Sequence, residues 1–254
     1  MVSENQGGHG PDYPYAKGEG KEEYAIPDDF HPEFVAAVQD AISRVPEGHN
    51  GVWDFGVGLG RTVNLIPSGW RFVGVDVDPG AIKKAVELRA KGGHNGRRTN
   101  FWVADLTQSI KQGWALKGRA GLAISSRVLQ ALPSEQSVEG FLANVRYVLA
   151  PGGMAVITAA DADKDWRAKR YAELNGGPPK TYIANYAEAL ELPENAGITD
   201  WPLHLFSQDE LVARLRDARL RADKVFRYTE PSGFDHLRRR GLELTYVGAV
   251  ATAV

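Results

Sequence analysis

Residues 51–60 read Gly-Val-Trp-Asp-Phe-Gly-Val-Gly-Leu-Gly, so a short apolar run leads directly into a glycine cluster. The apolar run predicts a buried strand. The alternating glycines are Gly56, Gly58 and Gly60. Because these residues lack side chains, they allow a tight turn and let a ligand lie against the backbone, near the N–H groups that open a helix. We expect that helix to carry Val63 and Leu65 in its first turns.

A second apolar run, residues 72–76, ends in Asp76, twenty residues after Gly56. A carboxylate at the end of such a strand can accept hydrogen bonds from both hydroxyls of a ribose. A dinucleotide-binding fingerprint would also need a glycine at position 61, which is Arg61 here. The glycine pattern is therefore GxGxG preceded by Asp54. Taken alone, this pattern also fits a close-packed strand–helix turn.

Apolar runs alternate with helical patterns along the rest of the chain. Further strands are predicted at residues 101–104, 121–125 and 154–158. Such continuous apolar runs are typical of a parallel sheet that is covered on both faces. The last two runs, residues 224–228 and 242–253, have only a polar turn between them, which predicts an antiparallel hairpin. We therefore expect an α/β fold with a doubly wound, mostly parallel seven-stranded sheet and a C-terminal antiparallel hairpin.

Two segments depart from this rhythm. Residues 1–30 form an expected flexible arm that is rich in glycine and carries three tyrosines, Tyr13, Tyr15 and Tyr24. The arm is either a lid over a cleft or a disordered tail. Residues 31–254 form the predicted domain, and its residues 160–206 form an insert between the fifth strand and the following helix. The aromatic side chains of the insert either bind a substrate or pack the insert onto the core.

The composition excludes several kinds of protein. None of the 254 residues is cysteine, which rules out disulfides and thiol catalysis, and the six histidines lack the spacing of a metal motif. We expect no metal. The net charge of −2 argues against bulk nucleic acid as the partner. No apolar stretch is long enough to span a membrane and the first residues do not read as a signal peptide, so we expect a cytoplasmic protein.

Five motifs in this order resemble the class I S-adenosylmethionine-dependent methyltransferase family. They are residues 54–60, 73–76, 104–106, 125–132 and 145–153, the last reading VRYVLAPGG. Each motif is degenerate, and the resemblance depends on their order. It covers roughly residues 33–160 and, through the final hairpin, the C-terminal strands.

The resemblance implies S-adenosylmethionine as cofactor and S-adenosylhomocysteine as product. The three glycines of residues 56–60, namely Gly56, Gly58 and Gly60, would line the methionine part and the ribose. Asp54 would act near the cofactor amine, directly or through water. Asp76 would accept from the ribose hydroxyls, and Val77 would lie against the adenine.

The resemblance also implies contacts from the third and fourth strands. Asp105 would accept from the adenine amino group, and Leu106 would flank the ring. The alternative for Asp105 is a turn cap, because Asp-Leu-Thr also suits the exit of a strand. Ser125, together with Ser126, would sit beside the methionine part and the transferred methyl group.

The sequence offers only weak candidates for a catalytic base. His31 and His204 lie in segments that we expect to frame the acceptor, but a lone histidine is more often structural or solvated. Asp161 and Asp163 follow the fifth strand at the edge where ligands bind in open sheets. Their alternative role is to cap a helix.

The sequence therefore predicts methyl transfer to an oxygen or a nitrogen atom of a small molecule by in-line displacement. An RNA or protein methyltransferase is one alternative. A methyltransferase-like binding module without turnover is another. The identity of the acceptor and the oligomeric state are left open.

Overall fold

The computed structural model describes residues 30–91, 98–108, 118–168, 182–183, 203–231 and 243–254. Within these residues the helices are α1 (Pro32–Ser43), α2 (Pro79–Lys91), α3 (Glu135–Val148) and α4 (Gln208–Asp217). The strands of the main sheet are β1 (Gly51–Phe55), β2 (Arg71–Asp76), β3 (Thr99–Val103), β4 (Ala120–Ser126), β5 (Leu149–Ala160), β8 (Leu220–Pro231) and β9 (Glu243–Ala253). A separate pair consists of β6 (Tyr182–Ile183) and β7 (Leu203–His204).

The seven strands of the main sheet lie in the order β3-β2-β1-β4-β5-β9-β8. The first five are parallel to one another, whereas β9 is antiparallel to both β5 and β8. The predicted fold class and the terminal hairpin are confirmed. Because the strand order reverses at β1, its carboxyl end opens onto the crevice where ligands bind in open α/β sheets.

The sheet separates two apolar cores. On one face, α3 and α4 pack side chains such as Phe141, Val145 and Leu211 against the sheet. On the other face, α1 packs Phe34 and Val38. Each helix has one apolar stripe, as expected for a helix that covers a sheet. In the part of the chain that the structure describes, no helix is long and apolar enough to cross a membrane.

The helix expected after the glycine cluster is shorter than predicted. A five-residue 3-10 helix, Arg61–Leu65, takes its place and ends at Ile66, whose φ and ψ are −96° and 137°. Ile66 precedes Pro67, and a residue before proline is driven from the helical into the extended region. Pro67 therefore prevents the helix from continuing beyond Leu65.

A buried ion pair fixes the beginning of the predicted insert. Arg167 donates from Nε and Nη2 to the two carboxyl oxygens of Asp165, both at 2.7 Å, and both side chains are fully buried. The backbone N–H of Thr245 also donates to Asp165 Oδ2 at 2.9 Å. These bonds attach the start of the insert to β9.

Several predictions lie outside the described residues. They concern the arm with its three tyrosines and most of the insert. Phe206, at the end of the insert, is buried in the core that α3 and α4 cover, so its role is packing. The predicted capping box of α4 is present, because Ser207 Oγ accepts from the Glu210 N–H at 3.1 Å.

Candidate functional site

The glycine loop between β1 and the 3-10 helix is tightly packed on one side and open on the other. Gly56 and Gly58 have φ angles of 75° and 51°, in the left-handed region. A Cβ atom on Gly56 would lie 2.1 Å from Cγ2 of Val128, which follows β4. A Cβ atom on Gly58 would meet none of the described atoms within 4 Å. The open side at Gly58 therefore lets a ligand approach the backbone.

Asp76 connects this loop to the end of β2. Its Oδ2 accepts from the Gly58 N–H at 2.8 Å, and its Oδ1 accepts from the Asp78 N–H at 3.0 Å. Burial raises the pKa of Asp76, and both hydrogen bonds oppose that rise. The carboxyl group lies where the sequence places it, next to the open glycine. Its predicted contact with a ribose remains a prediction.

Asp54 lies beneath the loop and is only 1% exposed. Its Oδ2 accepts a hydrogen bond from Thr62 Oγ1 in the 3-10 helix. Burial raises the pKa of Asp54 to about 7; the Thr62 bond lowers it and the charge of Asp76 raises it further. The pair holds the two ends of the loop together. Sequence reasoning did not single out Thr62, and the role of Asp54 near a cofactor amine remains a prediction.

The segment after β3 uses its carboxylate to cap its own turn. Asp105 Oδ1 accepts from Thr107 N and Oγ1 at 2.9 and 2.7 Å, and Oδ2 accepts from Gln108 Nε2 at 3.1 Å. This is the alternative role that the sequence left open. Leu106 packs into the core, and its carbonyl accepts from Asn144 Nδ2 at 3.0 Å. The adenine contacts of Asp105 and Leu106, like that of Val77, remain predictions.

Ser125, near the end of β4, has a buried hydroxyl group. Its side chain is fully buried, and its Oγ has no hydrogen-bond partner among the described residues. A buried polar group without a partner costs about 1–3 kcal/mol. Val128, three residues further on, packs on Gly56, so this segment borders the glycine loop. Ser125 therefore has the hydrogen-bonding capacity that a bound ligand would use.

The two candidate histidines have structural partners. His31 caps α1, with Nδ1 accepting from the Glu33 N–H at 3.2 Å, and its ring stacks on Tyr228 at 5.0 Å. His204 is fully buried, lies 3.9 Å from the ring of Phe206, and its Nε2 is 3.3 Å from Glu210 Oε1. His31 is half-buried. Of the two, only His31 has solvent access in this structure.

The two candidate aspartates are both paired with Arg227 of β8, which sequence reasoning missed. Arg227 donates from Nε to Asp161 Oδ2 and from Nη2 to Asp163 Oδ2, both at 2.7 Å. These bonds raise the pKa of Arg227, the one to Asp161 most strongly. Asp161 is fully buried and also accepts from the Asp163 N–H at 2.8 Å. The arrangement pairs both carboxylates with one guanidinium and attaches the start of the insert to the edge strand.

Arg127, directly after β4, is a further residue that the sequence did not reveal. Its φ of 64° lies in the left-handed region, which costs about 1–3 kcal/mol for a residue other than glycine. Its Nη1 donates to Glu230 Oε1 at 2.5 Å, and its guanidinium lies 5.7 Å from the centre of the Tyr246 ring. Thr158 Oγ1 accepts from its backbone N–H at 3.1 Å. The guanidinium is thus held at the carboxyl edge of the sheet.

Tyr228 of β8 packs against Tyr246, the residue whose ring contacts the guanidinium of Arg127. Its ring stacks between those of His31 and Tyr246, 5.0 and 5.1 Å away. Burial raises the pKa of Tyr228 to about 12; the charge of Arg127 and hydrogen bonds with Thr158 and Ser126 oppose the rise. The phenol therefore stays protonated and links β8 to the end of β4.

A cavity of about 680 Å³ lies beside Tyr228. Its lining includes Lys164, Trp166, Arg227, Glu243 and Thr245. The indole Nε1 of Trp166 is buried and has no acceptor among the described residues. The volume falls within the usual range for a small-molecule site. Among the described residues, no group of three or more carboxylates and histidines could hold a metal ion.

One family of known protein domains matches part of this chain. Residues 53–155 match the methyltransferase domain family. No curated protein sequence matches the chain. The matched segment begins at the strand before the glycine loop and ends in β5, so it contains the loop, Asp76 and Ser125.

Solved structures share the fold at low sequence identity. A SAM-dependent methyltransferase from Methanosarcina mazei is 19% identical with a TM-score of 0.64, and the match covers 89% of this chain and 99% of that one. The 1,6-didemethyltoxoflavin-N1-methyltransferase of Burkholderia thailandensis, solved with S-adenosylhomocysteine, is 18% identical with a TM-score of 0.57, covering 92% and 80%. The geranyl diphosphate C-methyltransferase of Streptomyces coelicolor is 14% identical with a TM-score of 0.53, covering 86% and 76%.

Proposed function

We propose that this chain is a class I S-adenosylmethionine-dependent methyltransferase that methylates an oxygen or nitrogen atom of a small molecule; its matched domain and its fold support the proposal. The observation that carries this proposal is the crevice at the carboxyl end of β1. There the open side of Gly58, the carboxyl group of Asp76 and the hydroxyl of Ser125, which has no partner in the described part of the chain, belong to neighbouring strand ends.

These residues fit the cofactor. Gly58 leaves room for close approach to the backbone, and Asp76 offers carboxylate oxygens for ribose hydroxyls. Ser125 offers a buried hydroxyl to which no described residue is hydrogen-bonded. When bound, S-adenosylmethionine supplies a methyl group that is already activated by its sulfonium.

The task of the chain is then to orient an acceptor and exclude water, and orientation can supply several kcal/mol of the barrier. An oxygen acceptor would also need a base. Among the three weak candidates for a base we retain His31, because His204 and Asp161 are fully buried and paired. A neutral amine acceptor would need only orientation and desolvation.

Three observations support a small molecule rather than RNA or protein as the acceptor. The net charge is −2, which provides no general attraction for nucleic acid. The cavity beside Tyr228 has the size of a small-molecule site. Two of the structural neighbours named above, from Burkholderia thailandensis and Streptomyces coelicolor, were solved with small molecules in place.

The first test is calorimetry with S-adenosylhomocysteine and the full chain. We expect saturable binding, and no heat at millimolar ligand would refute the proposal. The second test is transfer of a tritiated methyl group to small-molecule, RNA and protein fractions. Label in the small-molecule fraction is expected, whereas label confined to RNA or protein would favour those alternatives. Cofactor binding without label in any fraction would favour a module without turnover.

The methylated atom can be read from the product. Nuclear magnetic resonance of the labelled product distinguishes methyl on oxygen or nitrogen from methyl on carbon. The distinction matters because one of the structural neighbours is a C-methyltransferase. Methyl on carbon would overturn the assignment to oxygen or nitrogen and leave the methyltransferase assignment intact.

A further inference from the structure

We propose that Arg127 binds an anionic group of the acceptor, a carboxylate or a phosphate, and so selects the class of molecule that is methylated. This inference rests on the proposed function, because it concerns the acceptor of the same site. Nothing in the sequence motifs assigns a role to Arg127.

The position of Arg127 is the first step of the argument. It follows Ser125 and Ser126 at the carboxyl end of β4, one strand from the open glycine loop of β1. Its side chain is 18% exposed, so it is not sealed inside the protein. A cation at this place is next to where an acceptor must lie, because the crevice at the carboxyl ends of β1 and β4 is where ligands bind in open sheets.

The way Arg127 is held is the second step. Its backbone adopts a left-handed conformation that only glycine adopts easily, and the hydroxyl of Thr158 accepts from its N–H. Its guanidinium is placed over the ring of Tyr246. Strained residues that the surrounding structure fixes in place tend to cluster at ligand sites. A planar guanidinium that is fixed before binding suits carboxylate and phosphate, whose oxygens match its fork of donors.

The third step is the ion pair that Arg127 forms with Glu230. Its carboxylate accepts from Arg127 Nη1 at 2.5 Å, and its side chain is 14% exposed. The guanidinium therefore already holds an anionic group of the chemistry that we propose for the acceptor. An incoming anion would either replace Glu230 or bind beside it. In both cases the negative charge of Glu230 opposes binding, so its removal should strengthen the affinity for anions.

The cavity beside Tyr228 is an independent observation that agrees. Tyr228 borders the cavity and stacks on Tyr246, the ring beneath Arg127. Trp166 in the cavity lining has a buried N–H without an acceptor among the described residues, and the lining carries charges of both signs, Lys164 and Glu243 among them. The free donor of Trp166 suits a ligand that carries an acceptor oxygen.

The test uses the full chain saturated with S-adenosylhomocysteine and measures the binding of three probes by saturation-transfer NMR. The probes are benzoate, phenyl phosphate and the uncharged benzamide. We expect the wild-type chain to bind at least one anion at least tenfold more tightly than benzamide. Which of the two binds more tightly tells a carboxylate acceptor from a phosphate acceptor. Arg127→Gln should weaken anion binding at least tenfold, and Glu230→Gln should strengthen it about threefold or more.

Arg44→Gln is the matched control, because Arg44 pairs with Asp223 on the same strand as Glu230. It should leave anion binding unchanged. Equal binding of anions and benzamide by the wild-type chain would overturn the inference, as would unchanged anion binding in Arg127→Gln. Weaker anion binding in Glu230→Gln would show that the ion pair only fastens β8 to β4. Affinity for S-adenosylhomocysteine is measured first on each variant. If the wild-type chain does not bind S-adenosylhomocysteine, the proposed function itself is refuted. If it binds S-adenosylhomocysteine but does not prefer anions, only the role of Arg127 is refuted.

Discussion

Replacing Asp54 by asparagine should remove a large part of the pH dependence of stability. Burial raises the pKa of Asp54 from 3.8 to about 7 in the folded chain. Between these two values the folded state holds a proton that the unfolded state has lost. Stability from this group is therefore lost as the pH rises from about 4 to 7, and it is constant above that range.

The magnitude follows from the same two pKa values. One pKa unit is worth about 1.36 kcal/mol, so the full shift corresponds to about 4 kcal/mol. Between pH 5 and pH 8 the contribution of Asp54 to the free energy of unfolding falls by about 2.5 kcal/mol. This is less than the full value because part of the fall occurs below pH 5. Asparagine has nearly the same shape, can still accept from Thr62 and does not ionise in this range.

The assay is urea unfolding of the wild-type chain and Asp54→Asn at pH 5 and pH 8. The free energy of unfolding of the wild-type chain should fall by about 2.5 kcal/mol more than that of the variant. Subtracting the variant removes the contribution of all other titrating groups. An equal fall in both proteins would refute the reasoning that Asp54 is buried in a protonated form.

Four further substitutions test other parts of the site and the fold. Asp76→Ala should weaken binding of S-adenosylhomocysteine at least tenfold by calorimetry, and unchanged affinity would remove Asp76 from the proposed site. Gly56→Ala should cost a few kcal/mol in urea unfolding because its Cβ atom meets a neighbouring side chain. Gly58→Ala should cost only about 1 kcal/mol and should instead weaken cofactor binding, and equal destabilisation by both would contradict the distinction. Asp165→Asn should cost about 3–5 kcal/mol because it removes the charge opposite the buried Arg167, and a loss below 1 kcal/mol would show that the pair is dispensable.

The sheet could be predicted from the sequence because its signals are local. The central strands β2, β4 and β5 are largely apolar runs, and Asp76 stands at the end of one of them. The length of the helix after the glycine loop was also readable, since Pro67 stands two residues beyond Leu65.

The contacts around Arg127 could not be predicted, because they join residues far apart in the chain. Glu230 and Tyr246 come about a hundred residues later and meet Arg127 only because the terminal hairpin inserts beside β5. The same holds for Arg227 and the two aspartates after β5. Asp105 illustrates a different limit, since one short motif suits both a ligand contact and a turn cap.

The position of β9 between β5 and β8 has a consequence for the growing chain. About eighty residues separate β5 from β9, yet β9 supplies the hydrogen-bonding partner for the part of β5 from Met154 to Ala160. At a synthesis rate of about 5–20 residues per second, that apolar strand would present an open edge for roughly 4–16 seconds. An unpaired apolar edge is a template for pairing with another chain. The nascent polypeptide is thus most exposed to aggregation after β5 has been made and before β9 has emerged.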